Sequence, residues 1–475
     1  MFDYSFARKN PLREALNRQL QEVDNRFHVP AHQSFLDGCS RSELDLTEVA
    51  YLDNLFHPTG ALAKSQQLAA EFFHAEATYY LVNGSTAGLM AAIWACCRPG
   101  DRVIVARNVH RAVIDGLVWC GAEPCFVQVE DYLHGIPLNI RPWSVERVLE
   151  SVKNPQAMLV TSPSYWGITP SLFELRQLAA QRGIRLIVDE AHGGHFIFHS
   201  RFPLPAAASG ADLWVNSAHK TLGALTPGAL LHRRGDRVEI GRLEAALGML
   251  QTSSPPYPVL ASLEAVMEKC AGDWEEVLQI ADDARLQIND CPGFFCLEVQ
   301  EAKEKFGLDP LRLTIVANRI SLSGFQLSKL LREKFGIEVE MSSINHVVAL
   351  IHPWHRWEQV KVLINALKDI ANSYYKKDNS AEKFNEGGIA YPIPRLAAIP
   401  RQAAESRWRE VPLPEACGCV SAVTVLPFPP GIPVLIPGEV IEKETIERIE
   451  EDYRRGCCLV GLNSSPGLNI MVVAD

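Results

Sequence analysis

The chain predicts an α/β fold with a mainly parallel sheet, and three observations support this. Short apolar runs alternate with helical periodicity from about residue 75 to 250, the signature of βαβ units. The run Ile184 to Val188 is largely apolar and ends in Asp189, as a strand buried on both faces does. Strand-like Tyr79 to Val82 passes through Asn83-Gly84-Ser85-Thr86-Ala87-Gly88 into a helical run, Leu89 to Ala95, the order of strand, glycine turn and helix.

Residues 1–74 read as an N-terminal arm with helical segments around Leu12 to Asn25 and Gly60 to Phe73. A large domain follows over 75–258. Its strands are predicted at Tyr79 to Val82, Arg102 to Ala106, Pro124 to Val129, Ala157 to Thr161, Arg185 to Asp189, Ala211 to Val215 and Ala229 to His232. A long helical stretch from Val259 to about Ile288 opens a smaller α+β domain, 259–373, whose strands are Phe295 to Val299, Leu311 to Val316 and Val347 to His352. The polar run Lys376-Lys377-Asp378-Asn379-Ser380 marks a linker, 374–395. The remaining 396–475 form a C-terminal α+β module. Its segment Leu426 to Glu439 carries too many prolines for a helix or central strand and predicts an ordered loop.

A length of 475 residues exceeds what one hydrophobic core organises. The net charge of −10 argues against nucleic acid or an anionic membrane surface as the main partner. No stretch approaches the roughly 18 apolar residues of a membrane span, and the N-terminus lacks the ordered regions of a signal peptide, so cytoplasm is the expected location. The 12 cysteines read as free thiols of a reducing compartment. The pairs Cys417/Cys419 and Cys457/Cys458 lack the spacing of a zinc module.

Two motifs carry the chemistry. A strand ending at Asp189 delivers that acid to the carboxyl edge of the sheet, where ligands of open α/β folds bind. Lys220, in Ser217-Ala218-His219-Lys220-Thr221, follows the strand-like Ala211 to Val215 among small and polar residues. Its amine is placed to form a Schiff base, with Asp189 facing a pyridinium nitrogen, so the pair describes a pocket for pyridoxal 5'-phosphate. Gly84, Ser85 and Thr86 open a helix where backbone amides and two hydroxyls suit a phosphate; Ser217 is a second phosphate candidate. His110, just past the strand ending at Ala106, offers a flat ring at the same edge. His192, His195 and His219 crowd that edge without a recognised metal spacing, and no metal is expected. The string Asp189-Glu190-Ala191-His192 also occurs in helicases, but the chain has no Gly-Lys dipeptide and hence no phosphate loop of that type.

Further segments complete a family pattern: Phe27-His28-Val29-Pro30, Phe56-His57-Pro58-Thr59-Gly60, Arg107-Asn108-Val109-His110 and Pro429-Pro430-Gly431-Ile432-Pro433. With the motifs above, in order over nearly the whole chain, they resemble the bacterial ornithine/lysine/arginine decarboxylases, in the short form without an N-terminal wing domain. The resemblance implies an aspartate aminotransferase-like large domain that binds pyridoxal phosphate, a small α+β domain and a C-terminal decarboxylase module. It implies that Lys220 carries the cofactor, Asp189 pairs with its ring nitrogen, His110 stacks on the ring, and Ser85, Thr86, Ser217 and His219 surround it with Gly84, Ala191, His192 and Ser254. It also implies a homodimer or higher homo-oligomer whose neighbouring subunit supplies the His57-Pro58-Thr59-Gly60 turn and the Ser253-Ser254-Pro255 loop.

The expected activity is decarboxylation of lysine, arginine or ornithine to a polyamine precursor and carbon dioxide. Another reaction of the same fold, transamination or aldol cleavage, or a catalytically altered regulatory paralog, is the alternative. His219 or Lys220 would return the proton to Cα. A cationic substrate side chain calls for a carboxylate, and Glu439 is the candidate, beside His57 and Thr59 as substrate contacts; the arm acids Asp45, Glu48 and Asp53 are its rivals. The chain departs from the family pattern at Gln33, Pro227, Pro256, Val423 and Phe428.

Overall fold

A computed structural model describes residues 9–22, 42–298, 306–376, 393–428, 430–464 and 467–474. Gln33, Pro429 and most of the predicted linker lie outside them. The chain divides into two compact units, each built from several stretches. The first comprises 1–97, 156–162 and 176–272; the second comprises 98–155, 163–175 and 273–475.

The first unit contains five of the predicted strands. Ala157–Thr161, Arg185–Asp189 and Leu213–Asn216 run parallel in that order, and Ala229–Arg233 runs antiparallel between Leu213–Asn216 and Ala77–Leu81. Four of the five therefore point one way, bringing Thr161, Asp189 and Asn216 to one edge. The parallel strands are buried along nearly their whole length, which is why they read as continuous apolar runs. Helix Gly84–Cys96 packs on the face that carries Val215. A Cβ at Gly88 would lie 2.5 Å from Leu81 Cδ1 and 3.2 Å from Val215 Cγ1, so glycine permits this approach.

Side-chain acceptors open both helices of the arm, and one of them ties it to the rest of this unit. Glu264 accepts the Leu12 and Arg13 amides (2.9 and 3.0 Å) that open helix Pro11–Glu22. Asp53 accepts the amides of Gly60, Leu62 and Ala63 at the start of helix Ala61–Phe72. Such side-chain oxygens satisfy amides that no helical turn can.

The second unit holds the other two predicted strands, Arg102–Ala106 and Glu123–Val127, parallel and joined through helix Arg111–Cys120. Its antiparallel sheet orders Phe294–Cys296, Arg312–Ala317, His346–Leu350 and Met341–Ser342. In the C-terminal part, Trp408–Pro412 pairs with Asn469–Val473, and Leu435, Ile441, Ile449 and Val472 form its core. As expected, the described residues of Leu426 to Glu439 are loop, apart from the two-residue strand Leu426–Pro427.

One element differs from expectation. The single helical stretch from Val259 to Ile288 is two helices, Tyr257–Cys270 and Glu275–Asn289. The break falls at Ala271-Gly272-Asp273, where glycine weakens the helix and Asp273 Oδ1 accepts the Glu275 amide at 2.9 Å to start the next one. The first unit ends at Gly272 and the second resumes at Asp273.

Gly324 gives a direct test of the second unit. Ser323 and Gln326 close a capping box on helix Gly324–Phe335, and a Cβ at Gly324 would lie 2.4 Å from the carbonyl oxygens of both Ser343 and His346. Backbone cannot yield as a side chain can. Gly324→Ala is expected to cost about 1–3 kcal/mol, read as a lower thermal midpoint, whereas Gly241→Ala, in open space, should cost little.

Candidate active site

The first unit brings the two chemical motifs together. Asp189 ends its strand 3% exposed and pairs in register with Val215, two residues before Ser217. The turn after it reaches Ala191, whose amide donates to Asp189 Oδ1 (3.2 Å) and whose carbonyl accepts the Ser217 amide (3.3 Å). These bonds link the two turns. Lys220 Nζ lies 3.0 Å from His192 Nε2; an ammonium has only donors, so the ring nitrogen accepts. His219 Nδ1 lies 3.0 Å from the carbonyl of Gly228. A carbonyl only accepts, so Nδ1 carries the proton and Nε2 is the acceptor nitrogen of the neutral ring.

The phosphate candidates also meet. Ser217 Oγ donates to Ser85 Oγ at 2.8 Å, beside the first turn of the helix that Gly84 opens at φ +77°. Thr86, next along the helix, is exposed. Close by along the sheet edge, the Ser162 amide donates to the Asp189 carbonyl (2.9 Å), while the buried Ser162 Oγ has no hydrogen-bond partner. An unsatisfied buried hydroxyl at a strand end is costly unless something polar meets it. His57, Thr59 and Ser254 are exposed on this unit. Asp53 is occupied in capping a helix.

His110 and Glu439 belong to the second unit. His110 caps helix Arg111–Cys120, with Nδ1 accepting the Ala112 amide at 3.2 Å. Its ring lies under the proline-rich loop: a Cβ on Gly431 would be 3.4 Å from His110 Cδ2, and Gly431, at φ +81°, accepts the Arg111 amide at its carbonyl (3.3 Å). Glu439, the expected substrate carboxylate, is fully buried and accepts at Oε2 from Arg107 Nη2 (3.0 Å) and from the Ile436 amide (2.9 Å), while Oε1 has no hydrogen-bond partner. Burial pushes Glu439 up, against the pull of Arg107. The same unit carries an open pocket of about 990 Å³ whose lining acids are Glu451 and Asp452, bonded to Arg455 and Arg448 of the same segment.

Sequence reasoning missed a polar chain behind the lysine site. Glu190 Oε1 accepts the Ala206 amide (2.7 Å) and Oε2 accepts Asn216 Nδ2 (2.9 Å). Asn216 Nδ2 also donates to the Glu190 carbonyl (3.0 Å), which fixes the amide's orientation. Asn216 Oδ1 then accepts from His232 Nε2 (3.0 Å), and His232 Nδ1 accepts from Thr78 Oγ1 (2.8 Å). The His232 ring stacks on Trp214 at 5.0 Å and 19°. Burial pushes Glu190 up to about 8, helped by Asp189 and opposed by the Asn216 and Ala206 bonds. Burial alone lowers His232 to about 3. The available signal was the alternation of extended chain, which turns Glu190 to the face opposite Asp189. Among the described residues no three His, Cys, Asp or Glu side chains gather to hold a metal, and no helix is long and apolar enough to cross a membrane.

An amine beside an imidazole, a buried acid at the neighbouring strand end and a hydroxyl pair at a helix start thus meet at one edge of an α/β sheet. The chain belongs to the Orn/Lys/Arg decarboxylase family: the family's major domain matches residues 10–357 and its C-terminal domain matches 389–454. This places it among the carboxy-lyases. It is 33% identical over 485 residues to the arginine decarboxylase of Bacillus subtilis, covering 98% of each chain. It is 23% identical to the lysine decarboxylase LdcA of Pseudomonas aeruginosa, over 87% of this chain and 69% of that one. Among solved structures, the Francisella novicida lysine decarboxylase LdcF superimposes with a TM-score of 0.84 at 19% identity, over 98% of this chain and 81% of that one. SPT with PLP shares the fold at a TM-score of 0.53 and 16% identity, over 65% of this chain and 76% of that one.

Two measurements check this description. His232 is lowered from 6.5 to about 3 in the folded chain, so its contribution to stability is present above about 6.5 and is lost as pH falls toward 3. The thermal midpoint should decline below pH 6.5, and less steeply in His232→Gln, whose amide can bridge Thr78 and Asn216 without titrating. Glu439→Ala leaves the Arg107 guanidinium buried and uncompensated. It should cost about 3–5 kcal/mol in denaturant unfolding, largely recovered when Arg107→Met accompanies Glu439→Leu.

Proposed function

We propose that the protein is a pyridoxal phosphate-dependent decarboxylase that converts arginine to agmatine and carbon dioxide. The observation that carries this reading is the approach of Lys220 Nζ to His192 Nε2 at 3.0 Å, on a turn bonded to the one that carries Asp189. The choice of arginine rests on relatives named arginine decarboxylase at 32–33% identity over most of this chain.

The residues present suit the cofactor. Ser85 and Ser217 offer paired hydroxyls and helix-start amides for its phosphate, Lys220 offers the amine for a covalent link, and Asp189 offers a buried carboxylate to its ring nitrogen. The unpartnered Ser162 hydroxyl beside the Asp189 strand adds a polar group that a bound ligand would satisfy. When bound, pyridoxal phosphate supplies an electron sink for the pair left at Cα as carbon dioxide departs. Asp189 holds the ring-nitrogen proton. His192 accepts from Lys220 and orients its amine, and His219, with its proton fixed on Nδ1, is placed to exchange one through Nε2. In the second unit, the capping bond of His110 to the Ala112 amide sets the angle of its imidazole. The exposed His57-Pro58-Thr59-Gly60 turn and Ser254 loop are assigned to the neighbouring active site of a cytoplasmic homodimer.

Purified chain mixed with pyridoxal phosphate should develop an absorbance band above that of the free cofactor, and Lys220→Ala should abolish it. Arginine, lysine and ornithine assayed for carbon dioxide release should show arginine as the preferred substrate. Asp189→Ala should lower release by about a hundredfold or more. No band would overturn the cofactor reading; a band without release from any of the three amino acids would overturn the reaction.

A further inference from the structure

We propose that Glu190 is the positioning residue of the lysine site: its carboxylate, on the face of the sheet opposite Asp189, holds Asn216 and so sets the Ser217–Lys220 turn against the Asp189–His192 turn. This rests on the reading of Lys220 as the cofactor lysine. The registers place Asp189 opposite Val215, so Trp214 and Asn216 flank it on the other face. Thr78 lies directly opposite His232, and His232 directly opposite Trp214. Glu190, Asn216, His232 and Thr78 therefore form one continuous row beneath the site.

The polarity of that row is determined from one end. The Glu190 carbonyl can only accept, so Asn216 Nδ2 points to Glu190 and Oδ1 to His232, and the imidazole must carry its proton on Nε2. With the amide so fixed, the Glu190 carboxylate receives two donors, Asn216 Nδ2 and the Ala206 amide. Neither partner is a cation. An acid 3% exposed without an ionic partner is an expensive residue to keep for packing alone. What it joins explains its presence. Asn216 is the last residue of its strand, and the next amide, Ser217, donates to Ala191 of the Asp189 turn, while Lys220 and His219 complete the same short helix. Glu190 thus clasps the two turns from below, as Lys220 and His192 meet above.

A double-mutant cycle tests this with amide hydrogen exchange of the 216–220 peptide, in the full chain without added cofactor at pH 9. Asn216→Asp alone sets carboxylate against carboxylate and should speed exchange by about tenfold or more. Glu190→Gln alone leaves donor facing donor and should speed it less. Combined, the glutamine donates to the new aspartate, so the double variant should exchange several-fold more slowly than Asn216→Asp alone. A double variant that exchanges as fast as or faster than Asn216→Asp, as independent effects require, overturns the proposal. With pyridoxal phosphate added, the band of folded Glu190→Gln should show a pH midpoint displaced by about half a unit or more from the unsubstituted chain. An unchanged midpoint also overturns the proposal. Failure of the unsubstituted chain to form any band is a failure of the cofactor reading, and the exchange cycle still judges Glu190.

Discussion

The parallel register between Arg185–Asp189 and Leu213–Asn216 is the constraint on which the rest of the site depends. Setting Asp189 opposite Val215 brings two strands to their carboxyl ends together, so the turns that follow each run side by side. A shift of one residue would turn Asp189 to the other face and carry Glu190 into its place. Ser217 bonds Ala191, Lys220 reaches His192 and Ser217 reaches Ser85 because that register holds. Close packing of these strands on both faces fixes the register, since slipping would misplace every packed side chain.

The sheet carries different chemistry on its two faces. On the side of Asp189 and Val215, the glycine at 88 lets helix Gly84–Cys96 come close enough for its first turn to meet Ser217. On the other, a polar row from Glu190 to Thr78 runs through what would otherwise be apolar core, fully hydrogen-bonded along its length and stacked on Trp214. Fully satisfied networks of this kind define one arrangement where apolar packing would tolerate several.

In the second unit the proline-rich loop serves as a rigid strap. Its prolines limit the backbone, Gly431 takes the positive φ the turn needs, and the Arg107–Glu439 pair closes it beside the strand end that leads to His110. The loop's terminal acid is thus paired, through Oε2, within the second unit.

The chain by itself determined the α/β class, all seven strands of the large region, the loop character of the described residues of Leu426 to Glu439, and that Asp189 and Lys220 each follow a strand, because each depends on local pattern: apolar runs, proline content and residues adjacent in sequence. It also carried the family resemblance. The helix break at Gly272 was there to be read, but the apolar periodicity on both sides masked it. Partner choice was decided only by tertiary structure. Glu439 faces Arg107 across 332 positions of chain, and Asn216 joins Glu190 to His232 across two neighbouring strands. Such pairings follow from how strands and loops pack, and a sequence pattern reports which face a side chain takes but not which distant group awaits it there.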